Sequence, residues 1–477
     1  MKKANRLIVL SFTVLWVLGV GAIRAEEPQL PDTPAAHQCA AWLVSFNRGD
    51  RDTYRRFLQN TFPSRLQFAD RDLDFRDRTG GFEFRKVEES APTKLVVLVQ
   101  ERASDQFARL TMEVQSSEPH LITTLELSAI PRPAEFALPH MTESELIKAL
   151  GMHTADDAAA DRFAGAVLLA KNGRPIFEEA YGLADRDHKI PNTLKTRFRI
   201  GSMNKMFTAT ATLQLLQAGK LRLDDPLGKY LTDYPNTEMA TKVTIQQLLT
   251  HTGGTGDIFG AEFDAHRLEL RTLQDYVKLY GARGPQFEPG SRWEYSNYGF
   301  VLLGVVIEKA SGESYYDYVQ KHIYDPAGMT STGSDPEDQA AVDRSVGYTK
   351  MGSNGPWHTN TDTLPYRGTS AGGGYSTVED LLKFANALEN HTLLKPEYTE
   401  MLTTGKVDTP RGRYAYGFGD QTINGTRCFG HGGGAPGMNG ELEICPGPGY
   451  VIAVLANLDP PAATRISDFI TNRLPKE

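Results

Sequence analysis

Alternation is the plainest pattern in the first third of the chain. Apolar side chains fall at Leu110, Met112 and Val114, and again at Leu121, Leu125, Leu127 and Ala129. Such spacing predicts strands with one buried face. The runs 82–89, 93–102, 107–114 and 121–129 are therefore read as four strands of an antiparallel meander. Ahead of them the period is that of a helix. Cys39, Ala40, Leu43 and Phe46 follow Asp32-Thr33-Pro34, with proline near the first helical position, and Gly49 supplies an end. A second helix is expected over 53–62. Arg48-Gly49-Asp50 then reads as the turn between two helices rather than an adhesion signal. Helices followed by a meander make a small α+β domain over 34–133.

In element order this segment resembles the nuclear transport factor 2-like α+β cone, the fold shared with ketosteroid isomerases. The resemblance carries no catalytic motif. It implies a cone that in other members often holds a ligand, and a docking or spacing role is the plainer reading.

Pro131-Arg132-Pro133 marks a boundary. Thr142-Glu143-Ser144-Glu145 is a capping box for a short helix expected to end at Gly151, and the alanine- and aspartate-rich stretch 156–161 reads as linker. A second domain is expected over 162–477, with 134–161 joining the two. It opens with two strand-like runs, 165–171 and 175–181, joined by Asn172-Gly173, a strong short hairpin signal. A short strand over 198–200 leads into a helical region with Leu213, Leu215 and Leu216 inside. Further helices are expected over 245–250, 301–309 and 376–388. Strands follow around 427–430, 440–445 and 450–457, and a last helix over 464–474. Strands at both ends with helices between predict one antiparallel sheet built from the two termini of the domain, with a helical subdomain inserted.

Composition adds limits. At 40% hydrophobic and 23% charged residues the chain is ordinary for a globular protein, and its net charge of -8 argues against a nucleic-acid partner. Lys2, Lys3 and Arg6 precede an apolar run ending at Ile23, with small residues at Ala22 and Ala25. This reads as a secretory signal over 1–25, with an uncleaved anchor as the alternative. Export to the periplasm or medium is expected, with no membrane contact beyond that segment. Of the three cysteines, Cys428 and Cys445 flank a strand–turn–strand and are expected either to bridge or to remain two buried thiols.

The candidate chemistry starts at Ser202 and Lys205, an S-x-x-K pair that a helix would place on one face. By itself the pair is common and usually a solvated helical surface. Two more patterns follow: Tyr295-Ser296-Asn297, before an apolar helix, and His431-Gly432-Gly433, near the C-terminus. The three in this order resemble the serine penicillin-recognising hydrolases: class C β-lactamases, low-molecular-weight D-alanyl-D-alanine carboxypeptidases and related esterases. Their pattern is S-x-x-K, Y-x-N, then K-T-G or H-x-G, and the resemblance covers about 162–477. It implies a β-lactamase-like α+β fold and an acyl-enzyme on Ser202. Lys205 and Tyr295 are then the candidate bases, and Asn297 holds Lys205 or a substrate amide. The resemblance further places the oxyanion hole at the backbone N–H groups of Ser202 and Gly434, beside Gly432 and Gly433. His431 departs from the lysine of class C β-lactamases. A mostly neutral histidine would hold a substrate carboxylate less firmly, which favours peptidase or esterase action over β-lactam hydrolysis.

A rival nucleophile is Ser370. Gly368-Thr369-Ser370-Ala371-Gly372 fits the elbow G-x-S-x-G, with Asp420 and His431 in the matching order. The residues before it are polar and broken by Pro365, so no buried strand feeds the turn, and a glycine-rich loop is the better reading. His251 is expected to cap its own helix. Asp257, Glu262 and His266 match no zinc spacing, so no metal or other cofactor is expected. The expected partner is a small molecule or peptide with an ester, amide or lactam carbonyl. The alternative is a non-catalytic sensor of peptidoglycan fragments or β-lactams.

Overall fold

The computed structural model describes residues 29–339, 341–350, 355–410 and 412–476. The expected signal segment, 1–25, lies wholly outside them.

The first part holds three helices, α1 (Pro34–Arg48), α2 (Arg51–Thr61) and α3 (Ala69–Thr79), then four strands, β1 (Phe82–Ala91), β2 (Lys94–Glu101), β3 (Phe107–Val114) and β4 (Ile122–Ile130). The strands pair in sequence order, all antiparallel, with Leu110 opposite Leu127 and Val97 opposite Leu110. Alternation thus predicted the meander correctly. Helix α3 was not anticipated, because Asp70 to Arg78 is mostly charged and offers only Leu73 and Phe75 as apolar contacts. Trp42, Phe46 and Phe82 stack at the centre of this part's own core, with ring centroids 4.7 Å apart for Trp42–Phe46 and 5.8 Å for Phe46–Phe82.

Helix α4 (Glu143–Ala159) corrects the expected short helix and linker. Its capping box forms as expected, between Thr142 and Glu145. The helix does not stop at Gly151. Leu146, Leu150, Thr154 and Asp157 form a buried stripe along it, and alanines at 155, 158 and 159 favour continuation. A buried stripe outweighs one interior glycine, whose cost is about 1 kcal/mol.

An eight-stranded antiparallel sheet follows. From one edge its strands are Val407–Thr409, Gly412–Tyr414, Gly419–Ile423, Thr426–Ala435, Met438–Cys445, Tyr450–Ala456, then β5 (Gly165–Lys171) and β6 (Arg174–Tyr181). Both termini of the domain meet where Val454 pairs with Val167. Asn172 and Gly173 both have positive φ, 49° and 75°, as the tight β5–β6 turn requires. The sheet is covered on both faces. Leu168, Leu442, Ile444, Ala453 and Leu455 join the main core, which contains the helices α5 (Asn204–Gln217), Asn297–Ser311 and Val378–Glu389. Leu169, Ile452 and Val454 point the other way, onto α4 and the last helix, Ala462–Thr471. Two-sided burial explains why β5 and the Tyr450–Ala456 strand read as unbroken apolar runs. Cys428 and Cys445 form a disulfide on that second face. The expected strand over 198–200 lies outside the large sheet; Phe198–Arg199 pairs only with Tyr375–Ser376.

Candidate active site

Ser202 lies in a 3₁₀ turn, Gly201–Met203, that feeds α5, one step before the helix in which it was expected. Gly201 has φ 53°, and its N–H donates to Gly373 O at 3.2 Å, so the glycine-rich loop supports the turn. Helix α5 is buried on nearly every side. That places Lys205 at 0% exposure.

Three oxygens surround the Lys205 amine. Nζ stands 3.1 Å from Ser202 Oγ, 2.7 Å from Asn297 Oδ1 and 2.5 Å from Ala371 O. The Tyr295 ring lies beneath it, centroid 4.7 Å away. Burial pushes Lys205 down to about 7, against the opposing pull of Asp257. Burial also raises the Tyr295 phenol well above its ordinary value, with Ser202 acting against that rise.

The Tyr-Ser-Asn motif is a helix start. Ser296 is the N-cap of Asn297–Ser311 and accepts from Gly299 N at 3.0 Å, so Asn297 is the first helical residue. Its amide is engaged at both ends: Oδ1 receives Lys205, and Nδ2 donates to Asp257 at 3.0 Å. Between the two expected roles, this geometry is that of holding Lys205.

His431, Gly432, Gly433 and Gly434 lie on the strand Thr426–Ala435, which passes the Ser202 turn backbone to backbone. A Cβ at Gly433 would stand 1.9 Å from Ile200 O and 3.1 Å from Ser202 N, and one at Gly201 would stand 3.1 Å from Gly434 N. Only glycine permits that approach. The backbone of Gly434 is therefore next to that of Ser202.

His431 belongs to a hydrogen-bonded chain that sequence reasoning missed. Ser296 N–H can only donate, so His251 Nδ1 (3.1 Å away) accepts, and the proton of neutral His251 sits on Nε2. From there His251 donates to Tyr414 Oη at 3.0 Å, and Tyr414 donates to His431 Nε2 at 3.0 Å. At the far end Gly432 O can only accept, so His431 Nδ1 donates, at 2.5 Å. Both ends dictate the same direction, with both imidazoles neutral. The pKa shifts agree: burial, then Lys205, pushes His431 down to about 4, and burial first holds His251 well below its ordinary value. His251 does end its own helix, through its backbone: it takes the left-handed conformation (φ 59°), and its N–H reaches Leu248 O while Thr252 N–H reaches Gln247 O. Its ring is thereby free to turn to Ser296 and Tyr414. Tyr414 carries no motif in sequence. Its partner His251 is 163 positions away, so only folding joins them.

Ser370 is not assembled as a nucleophile. It is fully buried, its hydroxyl sits where a Cβ on Gly304 would fall 2.3 Å away, and Asp420 bonds Gly405 N and Arg427 instead of His431. Its loop serves Lys205 through Ala371 O.

This fold, with a serine, a buried lysine and a tyrosine gathered at one end of a central helix, defines the class of serine penicillin-recognising hydrolases. The chain belongs to the Beta-lactamase family, whose model matches residues 152–474. It is 34% identical over 281 residues to a putative penicillin-binding protein, PbpX, of Bacillus subtilis (strain 168), covering 58% of this chain and 66% of that one. It is 38% identical over 176 residues to penicillin-binding protein 4* of the same organism, covering 36% of this chain and 38% of the other. The chain thus spans less than two thirds of either relative's length. Among solved structures, a penicillin-binding protein from Bacillus halodurans superposes with TM-score 0.60 at 34% identity, covering 67% of this chain and 97% of that one. A D-stereospecific amidohydrolase from Streptomyces sp. gives TM-score 0.58 at 31% identity, covering 67% and 96%.

Proposed function

We propose that the protein is an exported serine hydrolase that cleaves amides or esters through an acyl-enzyme on Ser202, with Lys205 as the base. One observation carries this reading: the surroundings of Lys205 Nζ. A neutral amine has two N–H donors and one lone pair. Asn297 Oδ1 and Ala371 O take the donors, which leaves the lone pair for the Ser202 hydroxyl. Tyr295, held protonated by burial, is the weaker candidate for base and the better one for passing a proton onward.

The steps balance. As Ser202 Oγ attacks the carbonyl, its proton passes to Lys205. The oxyanion receives the N–H groups of Ser202 and Gly434. The proton returns to the leaving amine or alcohol, by way of Tyr295, as the carbonyl–leaving-group bond breaks. Water then attacks the acyl-enzyme with Lys205 again as base, and Ser202 recovers its proton. Neutral His431, its Nε2 occupied by Tyr414, offers no cation to a substrate carboxylate. That supports peptidase or esterase action over β-lactam hydrolysis, and the likeness to an enzyme named for amide hydrolysis supports an amide substrate. Export rests on the basic and apolar N-terminal pattern and suits the Cys428–Cys445 bridge.

The test is a hydrolysis panel of p-nitrophenyl esters, D- and L-amino-acid amides, D-alanyl-D-alanine peptides and nitrocefin, run beside Ser202→Ala. Ester or amide turnover that vanishes in Ser202→Ala supports the proposal. Stable stoichiometric labelling by a fluorescent penicillin with no turnover would establish the sensor reading instead.

A further inference from the structure

Behind the His431 strand, on the face of the sheet opposite Ser202, lies a cavity of about 350 Å³. Its walls come from the meander edge, the large sheet and the last helix. Ile130 and Ile423 give it an apolar side, and Glu441, Glu443 and Asp468 an acidic one. Glu441 pairs with Gly432 and Glu443 with Gly430 across the ladder, whereas His431 pairs with Leu442, whose side chain enters the main core. Side chains alternate along a strand, so the two glutamates point away from the catalytic side.

Two buried acceptors at this cavity lack donors. Glu443 is 8% exposed and Asn472 7%. Gln421 Nε2 donates to Glu443 Oε1 at 3.1 Å, and Asn472 Nδ2 donates to Asp468 O at 2.8 Å. Glu443 Oε2 and Asn472 Oδ1 have no partner among the described residues. Buried polar atoms are normally satisfied, so such exceptions mark a missing donor. The nearby cations are committed elsewhere: Arg132 and Arg473 both bind Asp105, at 3.1 and 2.5 Å. Arg132 Nε, itself unpartnered, belongs to a guanidinium lying over the Phe107 ring, 4.8 Å from its centroid. Burial, with Glu441 and Asp468, pushes the Glu443 carboxyl up to about 8, the behaviour of an acid with too little positive charge around it; at neutral pH it holds a proton, which a bound cation would displace to leave the carboxylate.

The geometry points to this cavity as a binding site for a small organic cation, an ammonium or guanidinium group on a short apolar body. Its N–H groups meet Glu443 Oε2 and Asn472 Oδ1, its charge faces the three carboxylates, and its body lies against Ile130 and Ile423. A metal ion fits less well, since among the described residues no group of three His, Cys, Asp or Glu has ligating geometry. The site is separate from Ser202 and does not depend on the proposed reaction.

The test is calorimetric titration of the full chain carrying Ser202→Ala, with benzamidinium as probe and benzamide as its neutral isostere. Saturable binding of one benzamidinium is expected, with benzamide at least about tenfold weaker. Glu443→Gln keeps the shape and removes the charge, so it should weaken benzamidinium at least about tenfold while leaving the melting temperature equal or higher. If Glu443→Gln does not fold, Asp468→Asn is read in its place, with the same weakening expected. Equal binding of the two probes, no binding at millimolar concentration, or binding untouched by both substitutions would overturn the proposal.

Discussion

As the proposed base, Lys205 has two needs that conflict in water: to stand beside Ser202 and to be neutral. Its burial meets both. With its pKa lowered to about 7, the neutral form grows as pH rises through that value. Acylation by an activated ester should therefore rise with pH and level off above about 8, and at pH 6 run at about one tenth of the plateau. Lys205→Arg should abolish it, because arginine stays protonated. A pre-steady-state burst profile from pH 5 to 9 checks this, and a flat profile would reject Lys205 as base. The chain His251–Tyr414–His431 makes a second prediction. Tyr414→Phe leaves His251 Nε2–H and His431 Nε2 both without their partner, at a cost of about 1–3 kcal/mol per unsatisfied buried group. Lower stability in urea melts and a fall in kcat of about tenfold or more are expected, with His431 free to reorient and the Gly432 carbonyl less well held. Ser202, Lys205, Tyr295 and Asn297 were legible in sequence because each sits in a short motif. Tyr414 and the carbonyl of Ala371 were not, since a hydrogen bond across the fold leaves no local spacing to read.

The elements that carry these residues have their own constraints. The strand Thr426–Ala435 lies so close to the Ser202 turn that Gly433→Ala would drive a methyl into Ile200 O. That variant should fold, because the ladder on either side is intact, yet lose about a hundredfold or more in acylation rate as Ser202 N and Gly434 N move apart. Labelling by a fluorophosphonate measures it. The Cys428–Cys445 bridge closes a segment of sequence separation 17. Replacing both cysteines with alanine should cost about 3 kcal/mol in the chain-entropy account, read as a lower melting temperature under non-reducing conditions. Element type was predictable where the period was strong, as in β3 and β4, and where a turn signal bounded an apolar run, as Asn172-Gly173 does for β5. It failed for α3, whose charged sequence offers two partly buried apolar residues, and at the end of α4, where burial against the sheet carried the helix past Gly151.

At the scale of the molecule, α4 belongs with the large sheet. Leu146 and Leu150 are fully buried in the cluster on its second face, and His140 Nδ1 and Met141 N both reach the chain end, at Leu474 O and Arg473 O. A fragment beginning at residue 162 should therefore be less stable than one beginning at 139. Each leucine is worth about 1.5–3 kcal/mol of burial, so several kcal/mol should separate the two in denaturant melts. Equal stability would show α4 to be a tether. The sequence by itself determined the periodic elements, the hairpin at Asn172-Gly173, the order of the three motifs and, through them, the family. Those are local properties, set by side-chain spacing and backbone preference. Tertiary structure alone decided how Lys205 is buried and ringed by acceptors, which way protons point from Ser296 to Gly432, and that Ser370 is walled in by Gly304. These depend on atoms brought together from distant parts of the chain, and their energies come from desolvation and hydrogen bonding that exist only once the core has closed.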